Sequence, residues 1–236
     1  MLFNLDKYKI MHFGYNNPNN NFLLEGHILE TVDEEKDLGA MIRKDWKASS
    51  QCFKIVKTAN QILGMIKRTF TFKTKDNLLQ LYKCLVRPHL EYCMQVWNPY
   101  LKKDIGLLEG VQRRATNMIL GYKHYCYKDR LALCQLSILE GRRLRGDLIQ
   151  AFTLLKGLDQ INYNNFFVLD VNTGRKGHTL KVAKPRARLD IRLHYFSHGV
   201  VNCWNNLPVE IVECQSINNF KYKLSMFLST QHDFKY

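Results

Sequence analysis

The sequence lacks the short motifs that most often mark catalytic sites. No two aspartates are adjacent in its 236 residues, although adjacent aspartates are a common way to bring carboxylates around the paired metal ions of phosphoryl transfer. No Gly-x-x-x-x-Gly-Lys-Ser/Thr loop and no Gly-x-Ser-x-Gly turn occur. The only dense acidic run, at residues 33–35, is interpreted as a solvated turn. The chain therefore offers no complete catalytic motif.

Metal-binding and membrane-spanning patterns are also absent. The seven cysteines form no Cys-x-x-Cys pair, so no structural zinc site and no other metal site is predicted. Most of them lie among apolar neighbours, where a free thiol behaves as a small hydrophobic side chain, and this favours a reducing compartment. No apolar run approaches the roughly 20 residues that a membrane helix needs, and no secretory leader is recognised. We expect an intracellular protein, nuclear or cytoplasmic, outside the membrane.

Positive charge is the most prominent property that is present. Lysine and arginine total 35 against 21 acidic residues, which gives a formal charge of +14. This excess favours a polyanionic partner, since neutralising phosphates releases condensed counterions; a basic protein can also be merely soluble or adhere to anionic membranes. Basic residues are concentrated between residues 100 and 150 and again between 173 and 193. Any single cluster could be a solvated face, but several together indicate nucleic-acid binding, with neighbouring aromatic residues available for base stacking.

Hydrophobic periodicity predicts an α+β fold that is mainly helical. Residues 1–46 contain short strand-like stretches around an Asn-rich turn. In residues 47–158 apolar residues recur three and four apart, which predicts a helical bundle whose first helix is capped by Ser49 or Ser50 and whose second is broken or kinked at Pro88. Residues 159–236 are predicted to form a hairpin around Pro185, from residues 178–184 and 188–193, followed by two helices.

Six strings make the sequence resemble a known family. They occur in the order FNLDKYKIMHFG (3–14), EKDLGAMI (35–42), LYKCLVRPHLEYCMQVWNP (81–99), LLEGVQRRATNMILG (107–121), RRLRGDLIQAF (142–152) and VVNCWNNLPVEIV (200–212). Together they resemble the carboxy-terminal end of the reverse transcriptase of LINE-type, non-LTR retrotransposons of the jockey-like and chicken-repeat-like groups. The resemblance implies that residues 1–46 are the end of the palm with a primer-grip-like hairpin, 47–158 a helical thumb, and 159–236 a carboxy-terminal extension.

The resemblance also implies roles for individual residues. The family's Asn-x-x-Lys motif falls on Asn4 and Lys7, so Lys7 would lie near the incoming triphosphate and stabilise charge on the pyrophosphate. The Leu-Gly string of the primer grip falls on Leu38 and Gly39, where glycine permits close approach of a nucleic-acid strand. Further contacts to phosphates are predicted for Lys9, which follows the motif, and for residues of the thumb-like helices and of the basic segment near Pro185. The latter are Arg113, Arg114, Arg142, Arg143, Arg145, Lys181, Arg186 and Arg188.

The family's catalytic aspartates have no counterpart in this sequence. The resemblance therefore implies a fragment of an RNA-directed DNA polymerase that keeps template–primer-binding parts but is inactive alone. It implies no cofactor within the fragment, because Mg²⁺ would be bound by the missing palm. The expected partners are an RNA or DNA template–primer duplex, held without sequence specificity, and the palm and fingers of the same polyprotein. The alternative is a host-retained structural or interaction protein with no nucleic-acid role.

Overall fold

A computed structural model describes residues 4–14, 16–170 and 177–230. Most of the regular structure is helical, which confirms the prediction of a mainly helical α+β fold. A π-helical turn, Tyr82–Val86, joins α2 to α3. The helices are α1 (Ser49–Thr69), α2 (Lys75–Leu81), α3 (Arg87–Glu91), α4 (Met94–Trp97), α5 (Lys102–Asn117), α6 (Tyr127–Cys134), α7 (Leu139–Leu155), α8 (Asp190–His194), α9 (Phe196–Gly199), α10 (Val201–Asn205), α11 (Val209–Val212) and α12 (Ile217–Thr230).

The strands are short and lie before α1. They form three two-stranded sheets, one of them parallel and two antiparallel. The parallel pair is β1 (Lys9–Ile10) with β4 (Glu30–Thr31), and the antiparallel pairs are β2 (Leu23–Leu24) with β3 (His27–Ile28) and β5 (Glu34–Asp37) with β6 (Ala40–Arg43).

The β5–β6 hairpin turns on Leu38 and Gly39. Both residues have positive φ, 44° and 90°, as a tight two-residue hairpin turn requires. The Tyr92 hydroxyl donates a hydrogen bond to the Leu38 carbonyl oxygen at 3.0 Å. A Cβ atom at Gly39 would lie 3.1 Å from the Tyr92 ring, so this position needs glycine because of its backbone conformation and its neighbour within the chain.

Helix α1 buries the apolar stripe that its sequence predicts. Its N-terminus differs from the prediction, because Ala48 is the N-cap and makes no side-chain cap. The Ser49 hydroxyl instead donates to the Asp104 carboxylate at 2.6 Å, at the start of α5. Phe70, which continues the same three-four spacing, is 40% exposed just beyond the helix. The buried stripe residues are Cys52, Ile55, Val56, Ala59, Leu63 and Ile66.

Two hydrophobic cores share helix α7. The buried residues of the first core run from Ala40 to Leu139, and those of the second run from Leu148 to Leu224. The first turn of α7 therefore belongs to one core and its last two turns to the other. The division predicted at residue 158 does not coincide with this change, because periodicity shows that one face of a helix is apolar but not which partner covers it.

The helix is interrupted next to Pro88, as predicted, by a π-helical turn. The backbone widens into this turn immediately before α3, and the Arg87 N–H donates to the Tyr82 carbonyl oxygen five residues earlier. Proline clashes with the preceding turn, and π-helical turns are a recognised adjustment within helices. The buried Tyr82 hydroxyl then donates to the Gln112 side chain of α5 at 2.8 Å, so the irregular turn is tied to the first core.

The predicted hairpin around Pro185 is wrong. Residues 190–194 form helix α8, and Val182 instead makes an isolated antiparallel bridge with Leu169. The extended segment around Val182 is bound by Asn205, which belongs to the VVNCWNN string (200–206). The Val182 N–H donates to Asn205 Oδ1 at 2.9 Å, and Asn205 Nδ2 donates to the Val182 carbonyl oxygen at 2.8 Å. Trp204 Nε1 also donates to the Leu180 carbonyl at 2.7 Å. Alternation of polar and apolar residues predicted an extended chain but not its partner.

No helix in the described parts of the chain combines the length and the apolar character needed to cross a bilayer.

Replacing Gly39 with alanine should destabilise the protein by about 1–2 kcal/mol, because the φ of +90° disfavours a Cβ atom and Tyr92 lies 3.1 Å from it. Urea denaturation measures the change. Gly26→Ala is the matched control, since Gly26 has a similar φ of +83° but open space around the added atom. Equal losses in the two variants would contradict a role for the Tyr92 contact.

Candidate nucleic-acid interface

Helices α1 and α5 pack side by side and present one continuous surface. Ser49 and Asp104 tie their N-terminal ends together. Further along, Arg114 Nε donates to the Asn60 side-chain oxygen at 2.9 Å. Between these ties the apolar stripe of α1 packs against the buried residues Leu108, Val111 and Ala115 of α5. The two helices therefore act as one rigid unit whose outer face is free for a partner.

That outer face is strongly positive. Helix α1 contains no acidic residue, and all four of its basic residues are exposed. In α5, Asp104 is buried, and Glu109 accepts hydrogen bonds from the Tyr127 hydroxyl and from the Leu139 backbone N–H. Both α5 carboxylates are thus engaged inside the protein. Across the described residues no ion pair involves the exposed cations of these two helices. They are Lys54, Lys57, Lys67, Arg68, Lys102, Lys103, Arg113 and Arg114.

An open groove of about 610 Å³ runs along this face. Lys57, Asn60 and Arg68 line it, and Gly64 leaves space between them. Two exposed apolar side chains complete its walls: Phe53 is 66% exposed and Leu107 is 43% exposed. We call this feature, with the flanking Arg114, the α1–α5 groove. Its cations can meet phosphates, and its aromatic ring can stack on a base.

Arg113 and Arg114, both predicted contacts, lie exposed on α5 but point to different neighbours. Arg114 borders the α1–α5 groove through its hydrogen bond to Asn60. The guanidinium of Arg113 lies over the Tyr127 ring, 4.8 Å from its centroid. The structure therefore places Arg114 with the groove and Arg113 beside α6.

Arg142, Arg143 and Arg145 do not form an exposed basic surface. The prediction that Arg143 contacts phosphates is wrong. Arg142 forms a two-pronged ion pair with Glu91, which raises the pKa of the guanidinium. Arg143 is only 2% exposed, and burial lowers its pKa, so it cannot meet a phosphate on the surface. Arg145 is half-buried and donates to the Ser225 hydroxyl at 3.0 Å. Arg142 and Arg145 therefore join α7 to its neighbours.

The residues matched to the palm and primer grip lie in the strand region. Lys7 is exposed, and Lys9 is exposed and pairs with Glu30 on the adjacent strand. Leu38, at the hairpin tip, is 84% exposed. Strand β5, which leads to this tip, has the sequence Glu-Glu-Lys-Asp and is exposed throughout, and its carboxylates would repel a phosphate backbone. The structure does not bring these residues to the α1–α5 groove.

The remaining candidates lie on the extended segment that precedes α8. Arg186 and Arg188 are exposed, and Lys181 is half-buried. The segment is held in place by His198, whose Nε2 contacts the Pro185 carbonyl oxygen at 2.6 Å. These cations therefore lie on an ordered segment of the second core, separate from the α1–α5 groove.

Lys57 and Arg68 were missed as candidates by the sequence reasoning. The signal was available, because α1 has no acidic residue and these two share a face with Asn60 and Gly64, at helical spacing. It was overlooked because the densest basic runs lie elsewhere in the sequence.

A second polar feature lies on α7, where buried Arg143 and Asp147 line a cavity with Asn98. Asn98 Nδ2 donates to Asp147 Oδ2 at 3.3 Å. Asp147 is 6% exposed, and its burial raises the pKa of the carboxyl to about 7 even though the charge of Arg143 acts in the opposite direction.

In the described ranges no three His, Cys, Asp or Glu side chains gather where they could hold a metal ion.

The fold and groove define a mainly helical protein with a basic surface. No protein-family model matches the chain, and neither a curated protein nor a solved structure is significantly similar to it.

The free energy of unfolding of the Asp147→Asn variant, relative to wild type, should increase as pH rises. An unfolded aspartate has a pKa near ~3.9, whereas the folded value is about 7. The wild-type protein therefore loses stability as pH rises from the first value to the second. The free energy of unfolding of the variant should gain on wild type by on the order of 2–4 kcal/mol between about pH 4 and pH 8. Urea denaturation at several pH values measures it, with Asp33→Asn as the exposed control. A difference independent of pH would contradict the burial effect.

Proposed function

We propose that this chain is a nucleic-acid-binding, carboxy-terminal part of a non-LTR retrotransposon reverse transcriptase, and that its α1–α5 groove holds the phosphate backbone. The observation that carries the proposal is a two-helix face of exposed cations with no acidic partner within the described residues. Such a face attracts polyanions through counterion release and reads no base sequence. The six ordered strings that resemble this family support the proposed identity.

The dimensions of the groove suit a nucleic-acid strand. Lys57 and Arg68 are separated by roughly 16 Å along α1 at 1.5 Å per residue. At ~3.4 Å per nucleotide along one strand, this length corresponds to about five phosphates. Arg114 adds a cation on the opposite wall, and its hydrogen bond to Asn60 fixes its position. The groove can therefore follow a backbone for about half a turn of duplex.

The exposed Phe53 ring distinguishes the groove from an ordinary basic surface. A phenylalanine that is 66% exposed gains no stability from burial, but it offers a flat face on which an unpaired base can stack. Stacking of this kind contributes about 1–3 kcal/mol per base without sequence preference. The combination favours a groove that accepts the single-stranded part of a template–primer as well as its duplex.

Polymerisation is not proposed for these residues alone. Phosphoryl transfer of this type needs carboxylates that hold two metal ions, and the family's aspartates have no counterpart in the sequence. We propose that Lys7 and the β5–β6 hairpin act only beside the palm of the same polyprotein. The chain would then bind the template–primer, while the palm of the same polyprotein would bind the metal ions.

The alternative remains a structural or interaction protein without a nucleic-acid role. Exposed apolar side chains favour some protein neighbour: Leu23, Ile28 and Phe72 are 65%, 67% and 77% exposed. The two functions differ in one measurable property, since only the first requires the cations of the α1–α5 groove.

Neutralising the groove should weaken binding to polynucleotides. For the double variant Lys57→Gln and Arg68→Gln we expect affinity for a mixed-sequence RNA–DNA duplex to fall roughly tenfold at low salt, because two phosphate contacts are lost. The slope of log affinity against log salt should become shallower by about 2. Fluorescence anisotropy across a salt series measures both.

The matched control is Lys123→Gln with Lys128→Gln, which removes the same charge from exposed positions outside the groove. At about 0.15 M ionic strength it should change affinity by less than about twofold, since charges separated by more than the Debye length of about 8 Å are largely screened there. Equal effects of the two pairs would show non-specific attraction to the whole surface. Unchanged binding in both would favour the interaction-protein alternative.

Primer extension tests the catalytic part of the proposal. The purified chain with magnesium, an annealed template–primer and all four deoxynucleotides should give no extension above a protein-free background. Robust extension that disappears in Lys7→Ala would overturn the view that catalysis belongs to missing segments.

A further inference from the structure

A shallow depression lies where the residues just before helix α1 meet helices α8 and α9. Its lining comes from three segments, within residues 41–48, 95–100 and 191–196, and the lining of the α1–α5 groove is a different set. None of the described residues that line the depression is acidic. Its volume of about 60 Å³ is far below that of sites that enclose an organic ligand. A partner would therefore lie against this surface.

Aromatic rings from all three segments gather around the depression. Trp46 is 54% exposed and Tyr195 is 42% exposed. The exposed His194 ring lies parallel to the Tyr100 ring, with centroids 4.7 Å apart and planes inclined by 2°. Such rings provide flat surfaces on which nucleic-acid bases stack without regard to sequence.

Trp46 is held in place while much of its surface stays open. Its φ of +54° is uncommon for a residue with a side chain, and its N–H donates to the Arg43 carbonyl oxygen at 2.9 Å. The Phe13 ring stacks on the indole, with centroids 4.6 Å apart and planes inclined by 24°. Tryptophan is highly buried on average, so an exposed indole on a strained backbone indicates a use for the ring.

Three cations lie on the extended segment that leads into α8. Lys184, Arg186 and Arg188 are exposed and make no ion pair with any described residue. We call them the basic row. They occupy every second position, which places them roughly 6.5 Å apart along an extended chain. Cations spaced in this way can contact successive phosphates of one strand.

His198 joins the basic row to the aromatic surface. Its Nε2 lies 2.6 Å from the carbonyl oxygen of Pro185, in the middle of the row, and it donates because a carbonyl oxygen can only accept. The His198 backbone N–H donates to the Tyr195 carbonyl oxygen at 2.9 Å. His198 is only 2% exposed, so this connection is shielded from solvent. The row and Tyr195 are therefore neighbours on one face.

We propose that this face binds single-stranded nucleic acid, with unpaired bases stacked on its rings and phosphates on its cations. We call it the Trp46 platform; it consists of Trp46, Tyr195, the Tyr100–His194 pair and the basic row. A single strand fits best because the bases of a duplex are already stacked on one another. The inference goes beyond the proposed function, since the platform is separate from the α1–α5 groove.

An anionic membrane is the main competing partner. It would attract the basic row, and tryptophan and tyrosine are common at membrane interfaces. The parallel Tyr100–His194 pair favours nucleic acid instead, because a planar base can extend such a stack whereas a lipid headgroup cannot. The two partners are separated by experiment below.

Tryptophan fluorescence tests the proposal on the full chain. Of its three tryptophans, Trp97 and Trp204 are 4% and 0% exposed, so a quencher that acts at the surface reports on Trp46. Single-stranded oligothymidylate of about 12 nucleotides, within the usual range of site sizes, should quench the emission saturably. A blunt duplex of the same length should quench it at most weakly, because it offers no unpaired base.

Variants at the rings assign the binding to the platform. Trp46→Leu should lower the affinity for labelled oligothymidylate at least about fivefold in fluorescence anisotropy, the low end of stacking on one base. Trp46→Phe keeps a ring and should stay within about twofold of wild type. Tyr222→Leu is the control, because Tyr222 is 67% exposed on α12 and should leave affinity unchanged. Thermal unfolding checks each fold, and Tyr195→Leu replaces Trp46→Leu if that variant unfolds.

The basic row is tested through the salt dependence. Arg186→Gln with Arg188→Gln should make the slope of log affinity against log salt shallower by about 1.4, because each phosphate contact to a single strand contributes about 0.7. Lys123→Gln with Lys128→Gln removes the same charge elsewhere and should leave the slope unchanged.

The proposal is overturned if oligothymidylate does not quench Trp46 or if the folded leucine variant binds it as wild type does. Binding of phosphatidylserine vesicles with the same dependence on Trp46 would also overturn it in favour of a membrane. In the groove variant, Lys57→Gln with Arg68→Gln, the quenching should persist, and its loss would contradict a separate site. Persistent quenching with unchanged duplex affinity in that variant would support the platform and overturn the groove alone.

Discussion

The internal engagement of the α5 carboxylates is the interaction on which the surface of this protein depends. Asp104 accepts from Ser49, and Glu109 accepts from Tyr127 and from the start of α7. Each bond ties α5 to a neighbouring element, and each removes a negative charge from the outer face. The same contacts that assemble the first core therefore leave α1 and α5 with unopposed cations. The same hydrogen bonds therefore shape both the fold and the surface charge, because a carboxylate that accepts a hydrogen bond within the protein is not available to pair with a surface lysine.

Helix α7 concentrates the unusual polar groups of the molecule. It passes from the first core to the second, and its Arg143 and Asp147 side chains are buried rather than in solvent. Arg142 and Arg145 are satisfied by Glu91 and Ser225, whereas Arg143 and Asp147 retain buried atoms that have no hydrogen-bond partner among the described residues. Burial of such groups costs stability unless they find partners.

Local periodicity predicted a large share of the fold and a small share of the site. The buried stripe of α1, the break at Pro88 and the helices in the last part of the chain follow from spacing and proline chemistry, which act within a few residues. The hairpin around Pro185 failed because alternating residues specify an extended chain without specifying its partner, which proved to be Leu169 and Asn205. The cluster at residues 142–145 failed because local charge density does not show which side chains a second core will bury.

The sequence by itself determined the helical class, the absence of a complete catalytic motif and the net positive charge, because these depend on composition and on spacing within single segments. Only the tertiary structure decided which cations face solvent and which are buried or paired. It placed Lys57, Arg68 and Arg114 along one groove and withdrew Arg143 into a cavity. The physical reason is that the exposure and partners of a charged side chain are set by residues distant in the chain, such as Glu91 for Arg142 and Asn60 for Arg114.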